Sequence, residues 1–279
     1  MKANKTPTKS NRYSEKFIVK NSTHEFPLIT THTFNSIGSV LLAVDSNVIS
    51  NFFDEGTVIL VNKPAGWTSF DVVNKIRNIT RAKKVGHCGT LDPFATGLLI
   101  VCTGKATKTV DTFAGLSKTY LNEFELGKTT DTLDCDGVVI DIGAAGDYTI
   151  ETLAAIAMEF AGEIEQIPPA YSAIKVSGTP SYKLARKGHS PELKPRKILI
   201  ESFDILDYKK PIMKTRIRCS KGTYIRAIAR DFGHKIGCGA YVKSLKRESI
   251  GTYSCVDALS IEQIALIINS LKSANAHSN

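Results

Sequence analysis

A single carboxylate, Asp92, stands in a run crowded with glycines and small residues, Gly86-His87-Cys88-Gly89-Thr90-Leu91-Asp92-Pro93-Phe94-Ala95-Thr96-Gly97. An aspartate ahead of proline is driven out of the helical region, and the flanking glycines permit backbone conformations and close approaches that other residues forbid. Such a loop holds its carboxylate in one non-helical pose, which suits a nucleophile. Taken alone, the same residues also describe a tight Asp-Pro turn, so other segments must decide.

Four further segments and a short aromatic one follow in order: Lys63-Pro64-x-Gly66-x-Thr68-Ser69, Lys118-Thr119-Tyr120, Leu126-Gly127-x-x-Thr130-Asp131-Thr132-x-Asp134-x-Asp136-Gly137, Ile167-Pro168-Pro169-x-Tyr171-Ser172-Ala173-Ile174-Lys175 and Gly222-Thr223-Tyr224-Ile225-Arg226. With the Asp92 run, this series closely resembles the signature of the bacterial tRNA pseudouridine-55 synthase family, also called pseudouridine synthase B. There the first run usually reads Gly-His-(Thr or Ser)-Gly-(Thr or Ala)-Leu-Asp-Pro-x-Ala-Thr-Gly, and Cys88 is the departure. The matches extend from about Gly56 to about Leu259, which makes them far more specific than any one motif.

The resemblance implies an α+β pseudouridine synthase fold, a mixed and largely antiparallel sheet flanked by helices with a central RNA-binding cleft. It also implies an isomerase acting on the T-loop of tRNA: the glycosidic bond breaks, uracil rotates, and C5 joins the sugar. Asp92 takes the catalytic aspartate's place, and whether it attacks the sugar or removes a proton from it stays open. Arg226 is its implied partner, because a nearby guanidinium keeps a carboxylate ionised. A solvated arginine is the bland alternative, but the first turn of a helix is a poor place for a cation.

By the same resemblance Tyr120 stacks on the target base and assists proton transfer at C5, Tyr224 contacts the target nucleotide, and Leu245 lies beneath the base. Each would otherwise be an ordinary core or sheet-margin residue. His87 fills the space of the flipped base, helping to offset the few kcal/mol of unstacking. Lys105 and Lys108 are expected to neutralise phosphates, and Lys175, Lys183, Arg186, Lys187, Lys194, Arg196 and Lys197 occupy what resembles the family's basic, RNA-gripping insertion. Asp131, Asp134 and Asp136 are expected to order their loop.

Composition agrees with an RNA partner. The 279 residues carry 36 Lys and Arg against 27 Asp and Glu, a net charge of +9 that favours a polyanion. A hydrophobic content of 42% supports a folded core, and no apolar stretch approaches the ~20 residues that span a bilayer, so no membrane association is expected. The six cysteines form no Cys-x-x-Cys pair, and neither a metal nor a cofactor nor a nucleotide cradle is expected. Their scatter fits reduced thiols in the cytoplasm. The lysine-rich, acid-poor start keeps organelle targeting open, although its shortage of arginine favours the cytoplasm. A monomer is expected.

These residues need a scaffold, and the patterning supplies one. Thr57 to Val61 is a β-branched strand, Thr68-x-x-Asp71 a capping box opening a helix to about Ile79, and Leu98 to Cys102 a buried strand. Tyr120 to Leu126 reads as a strand, and Leu153, Ile156, Ala157 and Phe160 recur as one helical stripe. Ile198 to Ile205 pairs with Ile212 to Cys219, a helix over Ile225 to Ile236 stops at Gly237, Tyr241 to Arg247 forms another strand, and Ser260-x-x-Gln263 opens a last helix. Three regions are expected: residues 1–55, an extension whose first twenty residues are a disordered basic arm and whose remainder has no clear period; 56–260, the catalytic domain; and 261–279, a helix and polar tail. Only about twenty residues follow Leu259, so the small C-terminal RNA-binding domain usual in relatives is expected to be missing. Two other readings remain: a noncatalytic RNA-folding protein using the same cleft, and a synthase for another RNA position.

Overall fold

A computed structural model describes residues 18–20, 24–33 and 46–276. In chain order the elements are β1 (Ile18–Lys20), β2 (Glu25–Ile29), α1 (Ser46–Glu55), β3 (Thr57–Lys63), α2 (Ser69–Thr80), β4 (Val85–His87), β5 (Thr96–Thr103), α3 (Val110–Gly115), β6 (Lys118–Leu126), β7 (Lys128–Thr130), β8 (Val139–Asp141), α4 (Ile150–Met158), β9 (Gly162–Gln166), β10 (Lys175–Val176), β11 (Thr179–Pro180), α5 (Ser181–Ala185), β12 (Arg196–Lys209), β13 (Ile212–Cys219), α6 (Ile225–Lys235), β14 (Ala240–Ile250), β15 (Tyr253–Ser254) and α7 (Ile261–Ala276). The result is mixed α+β, with mostly antiparallel pairing. No helix among the described residues is long and apolar enough to cross a membrane.

These elements cluster into two compact units. Of the described residues, the first takes those up to Pro93, Gly97–Ala114 and those from Tyr253 onward; the second takes Phe94–Thr96 and Gly115–Thr252.

In the first unit β3 and β5 pair antiparallel, Ile59 facing Val101 and Val61 facing Leu99. Val58 to Val61 and Leu98 to Cys102 are all essentially buried, so both faces of each strand are covered, as continuous apolar runs require. Ile59, Val61, Leu99 and Val101 pack with Val72, Val73 and Ile76 of α2 and Ile264 and Ile268 of α7. The predicted capping box is present in both directions at Thr68 and Asp71, and Ser260 and Gln263 exchange the same pair of bonds. The N-terminal expectation needs correction. Ile18–Lys20, assigned to the disordered arm, pairs with Glu25–Ile29, and β2 adds to β3 in parallel. Phe26 and Leu28 bury their side chains there, a stronger determinant than the charge around them. The rest of that arm, residues 1–17, lies outside the described residues, as do 277–279 of the polar tail.

The second unit is an antiparallel sheet in the order β14, β6, β13, β12, β9, with small ribbons β7/β8 and β10/β11. The expected β12/β13 pair is present, Ile217 facing Phe203. Phe203 lies 5.5 Å from the ring of Phe232 on α6 and 6.0 Å from Phe160. Phe160, read as part of a helical stripe, instead follows the end of α4 and reaches the core from the turn. Helix α6 stops where expected, with Gly237 at φ 80. Gly233 is required for a different reason: a Cβ there would stand 2.2 Å from the Ala240 nitrogen, so α6 can approach β14 only without one.

Candidate active site

Within the first unit the run around Asp92 is a connection between two paired strands. Gly86 and His87 on β4 face Cys102 and Val101 on β5, and the Cys88 amide donates to the Ile100 carbonyl at 2.9 Å. The chain then leaves the ladder, Gly89 takes φ 92, and Asp92 sits half-exposed between the buried Leu91 and Ala95. Both neighbours of Asp92 are tied down. The Ser69 hydroxyl accepts from the Leu91 amide at 2.9 Å and donates to its carbonyl at 3.2 Å. The Pro93 carbonyl accepts from the Gly66 amide at 2.9 Å and from the Lys63 ammonium at 3.1 Å.

Lys63 is the residue whose task sequence reading missed. Its side chain is fully buried, and its ammonium also donates to the carbonyls of Pro64 at 2.9 Å and Trp67 at 2.6 Å. One cation therefore gathers the turn after β3 and the carbonyl beside Asp92, with Ser69 at the start of α2 as a second anchor. One motif, Lys63 to Ser69, thus supports the Asp92 run from both sides.

His87 is half-buried at the end of β4. Cys88 is fully buried, and its sulfur lies 3.6 Å from that of Cys102. Lys105 and Lys108 are exposed on the 3-10 turn Gly104–Thr109, and Lys105 already meets Glu55 at 2.7 Å. A pair this exposed contributes little and leaves the lysine able to exchange partners.

The second unit holds Tyr120, Tyr224, Arg226, Leu245 and Lys175. Tyr120 is half-buried on β6, facing Ile217 of β13 on one side and the fully buried Arg247 of β14 on the other. Leu245 is buried two residues earlier on β14, and Lys175 is exposed on β10. Tyr224 is the N-cap residue of α6, and its backbone is clamped by the Gln166 amide.

Arg226 follows in the first turn, 4% exposed. Its guanidinium lies 3.3 Å from the Asp134 carboxylate and donates to the carbonyls of Thr132 and Tyr171, each at 2.9 Å. This explains a cation at the positive end of a helix: a buried carboxylate and two carbonyls offset the unfavourable dipole. Asp134 also accepts from the Thr132 hydroxyl at 2.6 Å and the Asp136 amide at 3.1 Å, so it does order its loop as expected. Holding Arg226 is its additional task. Arg196 departs from expectation, folding its guanidinium over the Tyr224 ring instead of joining the solvated insertion.

Residues 77–225 match the family described as TruB family pseudouridylate synthase (N terminal domain). The chain is 48% identical over 202 residues to tRNA pseudouridine synthase B of Endomicrobium trichonymphae, covering 72% of this chain and 88% of the relative. It is 44% identical over 218 residues to the protein of the same name from Parabacteroides distasonis, covering 76% and 93%. Among solved structures, a chain of a Cbf5-Nop10-Gar1 complex superposes with a TM-score of 0.61 at 27% identity, over 78% of this chain and 55% of that one. A chain of an H/ACA RNP bound to a substrate RNA containing 2'-deoxyuridine shares the fold at a TM-score of 0.58 and 24% identity, over 81% of this chain and 56% of that one. The chain thus spans little more than half the length of those solved chains.

Proposed function

The chain belongs to the TruB family of pseudouridylate synthases, and we propose that it isomerises uridine to pseudouridine in tRNA, at position 55 of the T-loop. The observation that carries the site reading is the anchoring of both neighbours of Asp92, by Ser69 on one side and by Gly66 and Lys63 on the other. A carboxylate held this way needs little reorganisation to act on a sugar.

The reaction requires the target base to leave its stack, with His87 filling the gap. Asp92 attacks the sugar or takes a proton from it as the bond from N1 to the sugar breaks, and Arg226 is the cation that the family resemblance assigns to support it. Uracil stays bound between Tyr120, Tyr224 and Leu245 while it rotates. As the bond from C5 to the sugar forms, the Asp92–sugar bond breaks, or the proton that Asp92 took returns to the sugar; the C5 proton then leaves with help from Tyr120 as N1 regains one, so nothing else is consumed. Lys105, Lys108 and Lys175 meet phosphates of the T-arm. The catalytic domain is 56–260, acting as a monomer in the cytoplasm without a cofactor.

The test is incubation of purified protein with unmodified tRNA transcript, without ATP or added metal, followed by mapping of pseudouridine at every uridine. Wild type should modify the T-loop position, and Asp92→Asn should lose at least about 10³-fold in rate while still binding tRNA. Modification elsewhere would move the substrate assignment, and an active Asp92→Asn would remove the catalytic one.

A further inference from the structure

Tyr224 is gripped at two points by residues that face each other on neighbouring strands. Gln166 ends β9 and Arg196 begins β12, and the two are directly paired in the antiparallel ladder, so both side chains leave the same face. Gln166 is 1% exposed, and its amide meets the Tyr224 main chain twice. The side-chain oxygen accepts from the Tyr224 N–H at 2.9 Å, and the side-chain nitrogen donates to the Tyr224 carbonyl at 3.1 Å. Only a carboxamide offers both a donor and an acceptor in that arrangement.

Arg196 takes the other end. Its guanidinium carbon lies 4.6 Å from the centre of the Tyr224 ring, within the range of a cation-π contact. The Nε and one terminal nitrogen are buried and make no hydrogen bond among the described residues. The guanidinium is thus placed by the ring and not by a carboxylate. Burying such donors without acceptors is unfavourable, and positions that tolerate this are kept for something other than stability. Tyr224 itself makes no side-chain capping bond to α6, so the cap does not hold its ring.

We infer that Gln166 and Arg196 are positioning residues for the isomerisation, acting through Tyr224: one fixes where the main chain enters α6, and the other fixes the plane of the ring. This rests on the reading of Tyr224 as a contact to the target nucleotide. A ring already held in its working orientation need not be ordered when the nucleotide arrives, and small misplacements at a reacting centre are slow to correct.

The experiment is single-turnover pseudouridine formation on tRNA transcript, with tRNA affinity and melting temperature measured on the same proteins. Arg196→Met should slow the chemical step about 10- to 100-fold with affinity changed less than about 3-fold, and Arg196→Lys should recover part of the loss. In a Tyr224→Leu background, Arg196→Met should add less than about 2-fold, because its target is gone. Gln166→Met should behave the same way, and it carries the test if Arg196→Met does not fold. Fully additive losses, or a loss confined to affinity, would overturn the proposal and return Arg196 to the phosphate-binding group. A Tyr224→Leu protein as fast as wild type would instead refute the reading of Tyr224, whatever Arg196 does.

Discussion

In the first unit the buried Lys63 donates to the carbonyls of Pro64, Trp67 and Pro93, so a charge gathers main chain. In the second the buried Arg226 donates to two carbonyls and also faces the Asp134 carboxylate, so a charge is held by another charge. Both place a functional group where a free loop would not, yet their weaknesses differ. Removing Lys63 takes away the charge along with its bonds, and the Pro93 carbonyl keeps its bond from the Gly66 amide. Removing Asp134 takes a carboxylate from beside a buried guanidinium.

That asymmetry ranks two substitutions. Asp134→Ala should destabilise the fold by about 3–5 kcal/mol, the range found when one partner of a buried pair is deleted. Chemical denaturation at neutral pH measures it, and pseudouridine formation should fall with it because Arg226 is released. Lys63→Met keeps the length of the side chain and should lose less, about 2–3 kcal/mol from the carbonyls left short of a donor. A larger loss for Lys63→Met than for Asp134→Ala would reverse the distinction between the two regions.

The same distinction explains what could be read from the chain. The Thr68 and Asp71 box, the stop at Gly237 and the buried runs of β3 and β5 are local patterns, complete within a few residues, and each is found where expected. Asp92 stands out locally as the carboxylate of a glycine-rich Asp-Pro turn, whereas Tyr120, Tyr224, Arg226 and Leu245 are legible only through resemblance, since nothing local separates a catalytic tyrosine from a packed one. Lys63 and Arg196 were missed as structural parts because a lysine after an apolar run and an arginine in a basic stretch both read as solvated charge. Their partners, Pro93 and Tyr224, lie about thirty residues away, a distance that composition and period do not span. Asp134 reads from its neighbours as a loop-ordering group, and its second task depends on a helix more than ninety residues later.

Glu125, in the second unit, gives a pH test of how side-chain charge is held there. Burial pushes its carboxyl up, but hydrogen bonds from Lys243, Tyr241 and Lys128 outweigh that and hold it below the ordinary value of 4.5. The Tyr241 phenol, which donates to it at 2.8 Å, is pushed up to about 12, chiefly by burial and then by that bond. The depressed carboxyl adds stability above its unfolded pKa, and this is lost as pH falls through the folded value. The raised phenol adds stability below pH 10, and this is lost between pH 10 and about 12. Glu125→Gln should therefore lose about 1–2 kcal/mol near neutral pH and show a flatter decline in stability on the acid side than wild type. Parallel acid limbs in the two proteins would contradict the assignment.

The smallest effects separate the two units at their helix caps. Thr68 accepts from the Asp71 amide at 3.1 Å while the Asp71 carboxylate accepts from the Thr68 amide at 2.8 Å; at α4, Thr149 accepts from the Thr152 amide at 3.2 Å. Thr68→Ala should cost about 1 kcal/mol and Thr149→Ala about half that. Their activities should diverge further than their stabilities. Ser69, the residue after Thr68, is the one that grips both backbone groups of Leu91, so a frayed start to α2 loosens the support of Asp92. Among the described residues, those after Thr149 show no comparable bond to a proposed site residue. At a temperature where both variants are fully folded, Thr68→Ala should slow single-turnover formation by about 3- to 10-fold and Thr149→Ala by less than about 2-fold, since small displacements at a reacting group are costly in rate. Equal rates in the two variants would mean that the Asp92 loop keeps its geometry without Ser69, leaving Lys63 and Gly66 as its sufficient supports.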